Sequence, residues 1–183
     1  MTTSAKVDRA ALVRRAIVEL VAERGIHGTS MSQVAQRAGV ATGTAYVHYE
    51  SKEELLIAAF VEIKSQLGLV ATHDLDPLGQ PREAFATLWR RIHDHVRSDI
   101  ALARFLSQID ESPLRKRAHE ALPDDDPLTN FAAGMMHHLV DLPLDIVYEL
   151  GVAPAIRLAA SDAQLDPDEV DRVIEACWRA ISI

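Results

Sequence analysis

Residues 30–52 read SMSQVAQRAGVATGTAYVHYESK, and the spacing inside this stretch decides the fold. Ser30 and Gln33 have the separation of a capping box, in which the serine oxygen takes the amide three residues on and the glutamine reaches back. A helix therefore begins near Met31. It runs only to about Ala38, because Gly39 tolerates the positive φ that a sharp helix exit requires. A short helix fits Thr42 to Tyr49, and a second capping-box pair, Ser51 and Glu54, launches a longer one. Val34, Ala38, Val40 and Ala45 supply apolar contacts, and Ala35 is small where a neighbouring helix must pass. Two short helices so spaced pack at the steep angle of a helix-turn-helix, with the second presented outward.

The outward face of that second helix carries Thr42, Thr44, Tyr46 and His48, donors and acceptors in place of the Lys/Glu mixture of an ordinary solvated face. Uncharged polar groups suit base edges and phosphate oxygens. Gly43 leaves room for a sugar-phosphate backbone to approach. Lys52, in the first turn of the next helix, adds a cation beside a positive helix end, an arrangement that suits a phosphate. The net charge of −8 opposes a polyanionic partner, but residues 1–50 hold six Lys/Arg against four Asp/Glu, so the acidic excess lies beyond them. The first fifty residues alone suit a DNA face.

Working outward, Val13, Ala16, Ile17, Leu20 and Val21 form one apolar helical face that Gly25 and Gly28 terminate. Residues 1–7 show no periodicity and read as an arm. On the other side, the stripe Leu56, Ala59, Phe60, Ile63, Leu67 and Val70 predicts a long helix ending near His73. Asp74 to Pro81 reads as a loop, after which Phe85, Leu88, Trp89, Ile92 and Val96 restore helical spacing. Further helices are expected at about Ala101 to Ile109 and Pro113 to Leu122. Asp126 before Pro127, and Asp166 before Pro167, each place a capping side chain ahead of a proline in the first helical turn. Leu144 to Ala160 supplies another helix, which Pro154 should kink or split. No segment alternates with period two, so the expected fold is all-α.

The composition, 48% apolar and 25% charged, is that of a globular chain. No apolar run approaches the roughly 20 residues of a membrane span, and no basic segment precedes an apolar one at the N-terminus. A single cysteine, Cys177, makes no intramolecular disulfide and suits a reducing compartment. The expected location is cytoplasmic, with no membrane partner.

Through Gly25, Thr29-Ser30, Val34-Ala35, Ala38-Gly39-Val40, Gly43-Thr44, Tyr46, His48-Tyr49 and Ser51-Lys52-Glu53-Glu54-Leu55-Leu56, the chain resembles the TetR family of bacterial transcriptional regulators. The likeness is ungapped and spans roughly residues 10–60; beyond it, only helix number and length correspond. The resemblance implies an N-terminal three-helix DNA-binding domain over residues 1–50, with its motif at about 30–52. A larger helical effector-binding and dimerisation domain follows over 51–183. It implies a ligand-responsive homodimeric repressor released from a palindromic double-stranded operator by a small apolar or amphipathic effector, with neither an enzymatic activity nor a cofactor. The DNA-binding set it implies is Ser30, Ser32, Thr42, Gly43, Thr44, Tyr46, His48 and Lys52. Ala41 stands where a capping Ser or Thr often precedes the reading helix, so Thr42 either caps that helix or reads a base.

In the C-terminal part, Phe85, Trp89, Phe105, Phe131 and Met135, with Met136 beside them, line an apolar effector pocket or simply pack. For a dimer interface the candidates are Val147, Leu150 and Ile156 on one segment and Val173, Cys177 and Trp178 on the last stripe, which continues through Val170, Ile174 and Ile181. His137 and Asp141 lie one turn apart and His93 and His95 two residues apart, but no metal motif appears, and structural hydrogen bonding is the simpler reading. The alternative to a regulator is a helical enzyme or binding protein using these histidines and carboxylates.

Overall fold

A computed structural model describes residues 8–76, 78–161 and 163–183; the arm expected at residues 1–7 lies outside them. The described residues form α-helices with no named strand. Helix α1 (Arg9–Arg24) starts where the Asp8 carboxylate accepts from the amides of Ala10 and Ala11, and it buries Val13, Ala16, Ile17, Leu20 and Val21. In α2 (Met31–Ala38) the Ser30–Gln33 capping box is complete, and Gly39 at φ 69° turns the chain out of the helix. Helix α3 (Thr42–His48) buries Ala45, and Tyr49 behind it is also buried.

Helix α4 (Lys52–Thr72) is the spine that joins this three-helix head to the remainder. Its start differs from the expected box by one residue: Ser51 accepts from the Glu54 amide, but the Glu54 carboxylate takes the amide of Glu50 at 2.7 Å. By length and composition α4 is apolar enough to cross a membrane, contrary to the expectation that no run approaches that length; half of that stretch is buried inside this chain. The head is held on the spine by Arg14. Its guanidinium grips Glu62 of α4 at 2.6 and 3.0 Å and donates to Tyr49 Oη at 2.6 Å.

The body comprises α5 (Pro81–Ser98), α6 (Ile100–Asp110), α7 (Arg115–Glu120), α8 (Pro127–Met135), α9 (Leu144–Gly151), α10 (Ala153–Ala160) and α11 (Pro167–Ile181). A 3-10 turn at Met136–His138 follows α8. Asp126 and Asp166 cap α8 and α11 as expected. The segment 144–160 is divided at Val152, with Pro154 in the first turn of the second piece, where its missing N–H costs nothing. Gly151 lets α9 press on α11, since a Cβ there would stand 2.8 Å from Ile181 Cδ1. A short antiparallel pairing, Val140 N–H to Ile181 O and Ile183 N–H to His138 O, ties down the C-terminus. Helix α1 packs broadly along α6, so the head rests on the body as well as on the spine.

Candidate nucleic-acid interface and effector cavity

With Ala45 and Tyr49 directed inward, the opposite side of α3 is left to solvent. Thr42, Gly43, Tyr46, Val47 and His48 are exposed and Thr44 is half-buried; Tyr46 is 51% and Val47 83% accessible. Ser30 and Ser32 at the start of α2 are exposed beside one another, their hydroxyls 3.2 Å apart. Ala41 holds the cap position of α3 with no side-chain cap, so Thr42 does not serve as one and stays on the outer face. A Cβ built on Gly43 would meet nothing within 4 Å. The face is thus hydroxyls, an imidazole, a phenol and one isopropyl group. It offers donors and acceptors for base edges and an apolar group for a thymine methyl.

Lys52 stands in the first turn of α4, as the sequence places it, but its ammonium turns inward. Its ammonium donates to Ile26 O at 2.8 Å and Thr29 O at 2.9 Å, closing the loop between α1 and α2. Two of its three donors are therefore committed, and it acts as a tie within the head. The local excess of positive charge is likewise mostly spent inside the protein. Arg14 pairs with Glu62, Arg15 with Glu19 and Asp99, and Arg37 with Glu19 and Glu23.

Sequence periodicity passed over Val47. Ala45 and Tyr49, one turn apart and both buried, were the signal, because the residue midway between them must point away.

The body holds a cavity of about 590 Å³ between α4, α5, α7, α8 and α9, open to solvent past Lys116, Glu120 and Leu144. Phe85, Phe131 and Met135 line it. Trp89 and Phe105 do not: both are fully buried packing groups, Trp89 stacked on His93 with ring centroids 5.5 Å apart. A helical stripe shows which residues share a face but not whether that face meets a void.

One end of the cavity is polar, which the sequence reading did not anticipate. Lys64 and Tyr148 meet there, the ammonium donating to Tyr148 Oη at 3.4 Å and lying 4.6 Å from the ring centroid. The Tyr148 hydroxyl in turn donates to Asp110 at 3.1 Å, and Asp110 also bonds His119 at 3.0 Å. Burial lowers the pKa of the Lys64 ammonium despite the attraction of Asp110 and Asp126, and burial raises that of Tyr148 well above its usual value. The signal for Lys64 was its register, one turn beyond Phe60 on the buried stripe of α4.

The expected dimer residues divide. Leu150 is 42% exposed, and Val173 and Trp178 are half-buried. Val147 lines the cavity, and Ile156 and Cys177 are buried within their own chain, so these three serve the internal core. Apolar surface gathers instead on Leu142, Leu144, Ile146 and Leu150, all exposed around α9. Burial also pushes the Cys177 thiol up, away from the reactive thiolate. Among the described residues no group of three or more His, Cys, Asp or Glu is placed to hold a metal.

An outward reading helix on a three-helix head, joined by one spine to a helical body that holds a largely apolar cavity, defines a helix-turn-helix DNA-binding regulator. Comparison with known proteins gives the family. Residues 12–59 match the family model "Bacterial regulatory proteins, tetR family", and residues 81–182 match "Tetracyclin repressor-like, C-terminal domain". The chain belongs to the TetR family of transcriptional regulators, and is not an enzyme. The second match carries the family likeness into the body, well beyond the N-terminal motif.

An uncharacterised helix-turn-helix transcriptional regulator of Haemophilus influenzae is 29% identical over 182 residues, 97% of either chain. The crystal structure of a TetR-family regulator from Haemophilus influenzae superposes with a TM-score of 0.77 at 27% identity, covering 99% of this chain and 100% of that one. The fatty acid metabolism regulator of Bacillus subtilis is 45% identical over 51 residues, 28% of this chain and 26% of that one.

Proposed function

We propose that this regulator is a cytoplasmic homodimeric repressor that leaves a palindromic operator when a small amphipathic effector fills its cavity. The outer face of α3 carries the reading: Thr42, Gly43, Thr44, Tyr46, Val47 and His48 enter the major groove, while Ser30 and Ser32 meet phosphates. Residues 1–50 act as the DNA-binding head and 51–183 as the effector and dimerisation body. Two heads on one dimer address successive major grooves about 34–36 Å apart, so that operator symmetry mirrors protein symmetry.

Exposed Leu142, Ile146 and Leu150 at α9, with Val173 and Trp178 of α11, support a two-fold interface at this end of the body. Helix α6 supports linkage between cavity and head. Its Asp110 bonds Tyr148 and His119, which line the cavity, while Gln108, half a turn earlier, donates to Val21 O at 2.9 Å and accepts from Ile26 N–H at 3.2 Å. An effector that favours one setting of α6 thereby favours one setting of α1, and operator affinity falls in proportion to its differential affinity for the two states.

The test is selection of bound genomic fragments by the purified protein, followed by anisotropy titration of the recovered sequence at two salt concentrations. Saturable, salt-sensitive binding that Tyr46→Ala weakens is expected. Failure to retain any fragment, or full operator affinity in Tyr46→Ala, overturns the reading.

A further inference from the structure

The polar end of the cavity holds hydrogen-bonding capacity of both signs that the protein leaves unfilled. Lys64 is 3% exposed, and its ammonium has three donors, of which Tyr148 takes one at a long 3.4 Å. Asp126 is 1% exposed. Its Oδ2 accepts from the Thr129 N–H and hydroxyl, both at 2.9 Å, whereas Oδ1 has no partner. Both side chains line the same cavity. Asp110 contrasts with them, because His119 and Tyr148 occupy its two oxygens. Buried polar groups short of partners are expensive to keep, so a donor and an acceptor left open among the lining residues of one cavity point to a ligand.

Charge decides the kind of head group. Asp110 and Asp126 both act through space on Lys64. Of the other cations that line the cavity, Arg115 is paired with Glu149 and the exposed Lys116 with Glu120. An anionic head would therefore add a third negative charge around the one buried ammonium, and a cationic head would face that ammonium across a medium of low dielectric. A neutral head with one acceptor and one donor fills both open positions and adds no charge. The surrounding wall of Phe85, Leu88, Phe131 and Met135 suits an apolar body. We infer that the cavity selects an uncharged amphipathic molecule, an apolar chain ending in a hydroxyl or carboxamide that accepts from Lys64 and donates to Asp126. This rests on the reading of the cavity as the effector site.

Calorimetric titration of the full chain with probes sharing one decyl tail tests the inference: decanol, decanamide, decanoate and decyltrimethylammonium. Either neutral probe is expected to bind at least about tenfold more tightly than both ions, and the stronger of the two identifies the head. Lys64→Met should weaken the neutral probes by about tenfold and improve the cation. Asp126→Asn keeps an oxygen for Thr129 and turns the open acceptor into a donor, so it should shift preference toward decanoate. Decanoate binding as well as the neutral probes, or an unchanged ranking in a folded Lys64→Met protein, overturns the inference. Circular dichroism confirms folding, and Lys64→Met decides alone if Asp126→Asn does not fold. Operator release by some other compound, with this ranking absent, would sink the head-group assignment and leave the regulator reading standing. A protein that shows the ranking but binds no DNA would do the reverse.

Discussion

Replacing Lys52 by Met separates a tie within the head from a contact to DNA. The ammonium donates to two backbone carbonyls, Ile26 O at 2.8 Å and Thr29 O at 2.9 Å, and these close the loop that delivers Ser30 to the start of α2. A hydrogen bond to a charged group contributes about 1.5–3 kcal/mol. Lys52 is half-buried, so water can reach part of what the ammonium leaves, and the pair together is worth about 2–3 kcal/mol rather than the full sum. At about 2–4 °C per kcal/mol for a chain of this size, Lys52→Met should lower Tm by roughly 4–12 °C. Methionine keeps the aliphatic stem, so lost packing does not confuse the result.

The second readout is the slope of log affinity against log salt for the recovered operator. A lysine on a phosphate contributes about 0.9 to that slope, hence about 1.8 in a dimer. The tie predicts weaker binding, because the loop before α2 loosens, with the slope unchanged. Thermal unfolding at wild-type temperature combined with a slope shallower by about two would refute the assignment.

Three further outcomes are expected. Gly43→Ala adds a methyl that meets nothing within 4 Å, so urea denaturation should show a gain of about 0.5–1 kcal/mol while anisotropy shows weaker operator binding; unchanged affinity would remove Gly43 from the contact face. Burial pushes the Asp110 carboxyl up, but the His119 hydrogen bond, the Lys64 charge and the Tyr148 hydroxyl outweigh it and hold it below the usual 3.8. Its pKa is lower folded than unfolded, so its contribution is complete above pH 3.8 and is lost as the pH falls through the folded value. Asp110→Asn should therefore flatten this acid limb in urea titrations run from about pH 5 to about pH 2, and an identical limb in the variant would contradict the network. Leu150→Glu places a charge on exposed apolar surface of α9 and should convert the proposed dimer to monomer in sedimentation velocity without lowering helicity; an unchanged sedimentation coefficient would move the proposed interface elsewhere.

The helix boundaries of residues 30–52 are legible in the sequence because their signals are local. Capping pairs, Gly39 and the split before Pro154 depend on bonds within a turn of each residue, and the helices begin and end close to where those residues demand. The body was legible as helices but not as a site. Trp89 and Phe105 share stripes with residues that pack in the body, yet neither lines the cavity, since a void is defined by what several helices fail to fill. Ile156 and Cys177 met the same limit: an apolar stripe is equally suited to a chain's own core and to a partner.

The sequence by itself determined the head, its family and the all-helical class, through short-range hydrogen bonding and periodicity. Tertiary structure alone decided the fate of the charges. It turned Lys52 inward onto two carbonyls, matched Arg14, Arg15 and Arg37 with carboxylates from other turns and helices, and brought Lys64, Tyr148 and Asp126 to one cavity, with Asp110 behind Tyr148, from four separate parts of the chain. The physical reason is one of range. Caps and stripes are satisfied within a few residues, whereas a charge finds its partner wherever packing excludes water, and no local pattern records where that is.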